Sequence, residues 1–240
     1  MPIDEIVLAE AFYTKSVILG GLDGVMVAVG VVCACEGGDL SIDVMIIVGV
    51  ATVLAQALNI GIGEYLSSKA HRQFVLAEKR RVMWEFQHNP NQKKQIMADL
   101  FENRGMSRED AQLVTQKMAD YDRFFVDLLV TEELHLVLPE DDDATLLFDS
   151  LVMFLSFAGL GVLPILVYGL VPLKIIEPAF VQLSFLVLAG ALLVFLGGLK
   201  TTFSSVVWAY SSFEALLMGI AVGGFAYAVG NVVSSAIGSF

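Results

Sequence analysis

Two short patterns in this sequence pair a carboxylate with an imidazole at helical spacing: Glu85-Phe-Gln-His88 and Glu132-Glu133-Leu-His135. Residues three apart share a helix face, so one Glu and one His can aim at a single ion. Helical bundles that hold metals do so with inward Glu side chains and Glu-x-x-His pairs. Glu78 lies one heptad before Glu85 and extends the same face. Carboxylate and imidazole ligands suit Fe, Mn or Zn better than Cu(I). The expected metal ligands are therefore Glu78, Glu85, His88, Glu132, Glu133 and His135. The competing reading is a solvated charged surface, because this spacing arises readily in an acidic helical stretch.

A second set lies in apolar surroundings. Asp23 falls within Gly20-Gly21-Leu22-Asp23-Gly24-Val25-Met26, and Met26, three residues on, supplies a soft thioether on the same face. Gln56, Asn59 and Gly63 form a helical stripe with Glu64 beside it. A carboxylate inside a membrane span is costly and marks function by default. It can trade a proton for a cation, because burial favours its neutral form and a cation its charged form. The expected pathway is Asp23, Met26, Gln56, Asn59 and Glu64. Each has a plainer alternative: a bond across a helix pair for Asp23, polar glue for Gln56 and Asn59, an interfacial charge for Glu64. Asp43, Asp149 and Glu214 read as solvated span ends. Cys33 and Cys35 read as buried apolar thiols, and two cysteines make no disulfide framework.

The elements that must position these groups follow from composition. Of 240 residues, 56% are apolar and only 17% charged, with a net charge of −12. Soluble domains run nearer a quarter charged, so an ordinary soluble enzyme is excluded. The acidic balance argues against nucleic acid as a partner. Five stretches reach the roughly 20 apolar residues that a helix needs to cross a bilayer. They run from about Ser16 to Cys35, Val44 to Tyr65, Leu146 to Leu170, Phe180 to Leu199 and Phe213 to Ser235. The first is not expected to be a cleaved signal, since Asp4, Glu5 and Glu10 precede it instead of a basic region. Small residues, notably Gly219, Gly223, Gly224 and Gly230, suit close helix packing.

Eleven of the fourteen Lys and Arg lie between Lys69 and Arg123, Lys15 precedes the first span and Lys200 follows the fourth. Only Lys174 falls on the other side. Basic residues favour cytosolic loops, which predicts a cytosolic N-terminus and a luminal C-terminus. Residues 66–145 are a charged insert with 11 basic and 15 acidic residues. Three helices are expected there: one continuing the second span to His88 and stopped by Asn89-Pro90, one from Pro90 to a glycine cap at Arg104-Gly105, and one from a Ser107–Asp110 cap toward Leu138-Pro139. Glu140 to Asp143 reads as a solvated hinge. The fold class is thus an all-α membrane protein, with spans in 1–65 and 146–240 and a cytosolic three-helix insert between the second and third.

The sequence resembles the vacuolar iron transporter family of plants, yeasts and protists. The likeness is carried by Val17-Ile-Leu-Gly-Gly-Leu-Asp-Gly24, by Gly61-Ile-Gly-Glu-Tyr-Leu-Ser67, and by Arg80-Arg-Val-Met-Trp-Glu85 with Phe124-Phe-Val-Asp-Leu-Leu-Val-Thr-Glu-Glu133. The order of parts is similar too. The resemblance implies a homodimer moving Fe(II), often also Mn(II), out of the cytosol in exchange for protons. It implies that Asp23, Met26 and Glu64 serve the pathway and that Glu85 and Glu132 gather iron. The chain departs from the family pattern at Asn59-Ile60, where a Ser-Met pair is usual, and at Gln56, where an Asp is. Val82, Lys93 and Ile96 stand where the family's iron-gathering cluster has glutamates, and the methionines usual near Leu128-Leu129 are absent.

The expected function is transport of divalent iron, with manganese as a second cargo, into the lumen of a vacuole or similar acidic compartment. No permanently bound cofactor is expected; Fe(II) or Mn(II) is cargo, and the partners are metal ions, protons, lipid and a second copy of the chain. The chain is not expected to be an enzyme. The alternative is a metal-binding or sensory membrane protein of the same architecture without transport. A di-iron oxidase is a further alternative, though such sites need a four-helix core.

Overall fold

The structure is a computed structural model that describes residues 3–139, 143–171, 175–203 and 207–238. Its elements are α1 (Ile3–Gly37), α2 (Ile42–His88), α3 (Pro90–Asn103), α4 (Arg108–Met118), α5 (Asp122–Glu132), α6 (Asp143–Ile165), α7 (Pro178–Leu199) and α8 (Trp208–Ile237). Short 3-10 turns cover Tyr168–Leu170 and Lys200–Phe203, and no strand occurs among the described residues. Glu140, Asp141, Asp142 and Lys174, which carried the hinge and the lone luminal charge above, lie outside the described residues.

Among the described residues, five helices are long and apolar enough to cross a membrane: Thr14–Gly37, Ile42–His88, Ala144–Ile165, Ala179–Thr202 and Trp208–Ile237. They make the chain a multi-pass membrane protein. The third span is shorter than expected, closing at Ile165 and not at Leu170. Pro164 is the cause: it has no N–H and its ring crowds the preceding turn. The chain tightens there, with the Val167 N–H donating to Pro164 O at 3.3 Å and Gly169 to Leu166 O at 3.0 Å.

Two compact units emerge, Met1–Tyr65 with Ala144–Phe240, and Leu66–Asp143. In the first, α1 is the central helix. Half of its span is buried, against 11% for α8. Ile18, Val25, Ala28 and Val32 of α1 pack with Val53 of α2, Phe157 of α6, Phe185 and Leu193 of α7. The outer faces carry Leu58, Ile62, Leu155, Leu183, Phe195 and Phe225, all exposed apolar groups, as a lipid-facing surface requires. Serine hydroxyls tie the helices across: Ser156 Oγ donates to Val17 O at 2.5 Å, Ser211 Oγ to Gly197 O at 2.7 Å and Ser212 Oγ to Val194 O at 2.9 Å.

The second unit has its own core. Val75, Val82 and Phe86 of α2 meet Met97 of α3 and Phe125, Val126, Leu129 and Val130 of α5, with the Phe86 and Phe125 rings 5.0 Å apart. α2 ends at His88 and Pro90 opens α3, where its missing N–H costs nothing. Gly105 closes the same helix at φ +100°, a left-handed value that glycine adopts without strain. Ser107 accepts the Asp110 N–H at 3.2 Å and caps α4.

The expected third helix is two helices. Ala111, Thr115 and Ala119 are buried along α4. Continuing that stripe would turn the charged Asp122 and Arg123 inward. The chain breaks at Asp120-Tyr121 instead, and α5 restarts with Phe125, Val126 and Leu129 facing the core. α5 also stops early, at Glu132. Beyond it Leu134, Leu136 and Leu138 pack against the core in alternation, a period of two that a helix cannot present. His135 takes the left-handed turn that allows this, at φ +53°.

Candidate functional site

Asp23 lies on α1 between Leu22 and Gly24, both buried, yet is itself exposed on the face that turns away from the core. Met26, one turn on, is half-buried. On α2, Gln56 and Asn59 are exposed and line a shallow cleft of about 470 Å³ with Ala51, Thr52 and Ala55. A Cβ placed on Gly63 would meet nothing within 4 Å, so this stripe of α2 is open along its length. Glu64 is half-buried. Asp23, Gln56 and Asn59 have no hydrogen-bond or ion-pair partner among the described residues. For a carboxylate in an apolar helix this is an expensive state.

Asp149 was expected at a solvated span end. Its Oδ1 is instead buried with no hydrogen-bond partner among the described residues, within electrostatic reach of Glu64. The two carboxylates come from α6 and α2, and no local pattern announces such a pairing. Glu214 is 3.5 Å from Lys200. Cys35 is buried and Cys33 half-buried, both as free thiols.

In the insert unit every expected carboxylate ligand faces a cation. Arg81 reaches Glu78 at 2.6 Å and Glu85 at 2.7 Å. Lys93 stands 2.9 Å from Glu85 and 3.1 Å from Glu133. Arg104 pairs with Glu132 at 2.5 Å, and Lys79 with Asp127 at 2.6 Å. His88 donates from Nδ1 to Trp84 O at 2.8 Å and stacks on the Trp84 ring. His135 sits past the end of α5, so the helical face it would share with Glu132 is not formed. Among the described residues no three His, Cys, Asp or Glu side chains gather where one ion could sit. Spacing and the family resemblance both point to these residues, and the resemblance already marks Lys93 as standing where a glutamate is usual; what neither discloses is that Lys93 pairs with Glu85 and Glu133.

These pairs set a pH dependence. The hydrogen bond from Lys93 holds the Glu85 carboxyl below its ordinary 4.5 against partial burial, helped by the charges of Lys93 and Arg81. Burial pulls the Lys93 ammonium down, but Glu85 and Glu133 outweigh it and leave it above 10.5. A depressed carboxyl stabilises above its unfolded value and stops doing so as pH falls through the folded one. A raised lysine stabilises below its unfolded value and stops as pH rises through the folded one. The insert is therefore expected to be equally stable from about pH 6 to about pH 9 and to weaken outside that window. Trp84 and Trp208 are the two tryptophans, so Trp84 fluorescence in a Trp208→Phe chain reads this directly. A sloping midpoint inside the window would count against the pairs.

The family model of the VIT family matches residues 14–231. A vacuolar iron transporter of Toxoplasma gondii is 40% identical over 154 residues, covering 64% of this chain and 51% of that protein. One of Plasmodium falciparum is 36% identical over 155 residues, covering 64% of this chain and 57% of its own length. One of Centaurea cyanus is 25% identical over 223 residues, covering 93% and 89%. The chain thus spans little more than half the length of the first two. The Asp23 span, the α2 stripe, the insert, the third and fourth spans and most of the fifth fall inside the matched segment, and the chain belongs to the VIT family.

Proposed function

We propose that this chain moves divalent iron, and manganese beside it, from the cytosol into the lumen of a vacuole-like organelle in exchange for protons, as a homodimer. The observation that carries the reading is Asp23: one ionisable side chain within an apolar span, exposed from the most buried helix and unpartnered among the described residues. A bare cation is far costlier in hydrocarbon than one beside a fixed carboxylate. Asp23 would offer that countercharge, Met26 a soft contact for a partly dehydrated ion, and Gln56 and Asn59 polar contacts along the open stripe of α2. Glu64 would stand at the cytosolic mouth. On the luminal side a proton would replace the metal on Asp23, neutralising it for the return. The names of the relatives and the distribution of basic residues support iron as cargo and a cytosolic N-terminus.

The ion pairs of the insert favour a second reading, a family member that no longer conducts. Flux into vesicles separates the two. Purified chain in proteoliposomes holding an ion-quenched dye is expected to admit Fe(II) and Mn(II) only when the interior is acid. Folded dimer that admits none of Fe(II), Mn(II), Co(II) or Zn(II) would turn the assignment to binding or sensing.

A further inference from the structure

The charges of the second unit are arranged around one buried cation. Lys93 is 7% exposed, the only charged residue that is buried among those described. Its ammonium is 2.9 Å from Glu85 and 3.1 Å from both oxygens of Glu133. An ammonium has three N–H groups, and here carboxylate oxygens surround it. Lys93 comes from α3, Glu85 from α2 and Glu133 from the residue after α5, so three chain segments meet at one charge. The neighbouring acids are already matched, Glu78 by Arg81, Glu132 by Arg104 and Asp127 by Lys79. Two carboxylates drawn to one buried point repel unless a cation lies between them. A tethered ammonium fills that point at a high effective concentration, which a free ion must exceed.

We infer that Lys93 is the resident cation of the insert: it holds α2, α3 and the end of α5 together without metal, and it bars divalent ions from Glu85 and Glu133. The inference stands apart from transport, because its readouts are folding and ion binding. The full chain in detergent, carrying Trp208→Phe, lets Trp84 report on the insert, with Mn(II) as the probe ion. The unfolding midpoint of this parent is expected to be the same in EDTA and in about 1 mM Mn(II). Lys93→Met is expected to fall by roughly 10 °C in EDTA, to regain most of that in Mn(II), and to bind one more Mn(II) per chain by paramagnetic resonance titration. Lys93→Arg, which keeps the charge, is expected to remain insensitive to Mn(II) and to serve if Lys93→Met does not fold. A parent whose midpoint rises with Mn(II) would overturn the inference. So would a Lys93→Met chain that is as stable as the parent in EDTA, one that gains no Mn(II), or a Lys93→Arg chain that needs Mn(II) to fold.

Discussion

Asp23→Asn is expected to reduce metal flux into acid-loaded vesicles to the level of protein-free vesicles, while the chain stays folded. Asparagine keeps the shape and polarity of the side chain and removes only its charge and its proton. A unit charge 4 Å from another contributes roughly 4 kcal/mol at an effective dielectric constant near 20, and a divalent ion doubles the product of charges. Loss of even the smaller figure slows passage about a thousandfold. Folding is expected to gain slightly, because a charge at this depth costs about 2.5–3.5 kcal/mol on insertion scales and Asp23 has no partner among the described residues to lose. A neutral residue there also removes the proton carrier, so an acid interior is expected to restore no flux above that of protein-free vesicles. Asp23→Glu, which retains charge on a longer stem, is expected to restore part of the flux. The measurement is initial dye quenching against unfolding midpoint for the three chains. Unchanged flux in a folded Asp23→Asn chain would remove Asp23 from the mechanism.

The sequence discloses the spans because bilayer thickness fixes a length and hydrocarbon fixes a composition, and both are written locally. Its limits appear where spacing depends on a partner helix. Glu132-Glu133-Leu-His135 looks helical in isolation. Leu134, Leu136 and Leu138 override that by packing in alternation, and the turn at His135 separates it from the face of Glu132. The break at Asp120-Tyr121 is legible only once the core is known, since it spares Asp122 and Arg123 from burial. Lys93 is the sharpest case. As a letter it is one of fourteen basic residues; its role comes from Glu85 and Glu133, which lie 8 and 40 positions away along the chain. Asp149 beside Glu64 has the same origin. Asp23 stands out in the sequence because a lone charge in an apolar run needs no partner to be conspicuous.

The glycines of α8 show how far local pattern and packing diverge, and they carry the second large effect. Gly219, Gly223, Gly224 and Gly230 look alike as a run of small residues, but they do not do the same job. A Cβ on Gly230 would strike the Ala34 carbonyl of α1, and one on Gly37 would strike the Tyr227 carbonyl of α8. The two glycines thus let the same pair of helices touch backbone to backbone. Gly223 faces Val29 and Cys33, with hypothetical Cβ contacts of 3.0 and 3.2 Å, while Gly224 meets nothing within 4 Å. Side chains can yield by rotating; carbonyls in a helix cannot, so α1 and α8 must part. In lipid no hydrophobic effect pulls them back, and the lost close contact is not recovered. Gly230→Ala and Gly37→Ala are each expected to destabilise the membrane unit by about 1–3 kcal/mol. The double variant is expected to cost less than the sum, because the first already opens the crossing that the second would open. Gly224→Ala is expected to change stability by no more than about 0.5 kcal/mol, and Gly159→Ala, equally open, likewise. Unfolding midpoints in detergent, read with the folded fraction on size exclusion, decide between this crossing and a diffuse small-residue effect. Equal losses at Gly224 and Gly230 would mean that composition and not contact governs the helix. Unequal losses place the tight seam between α1 and α8 at the Ala34 carbonyl of α1, the helix that also carries Asp23, and the Tyr227 carbonyl of α8.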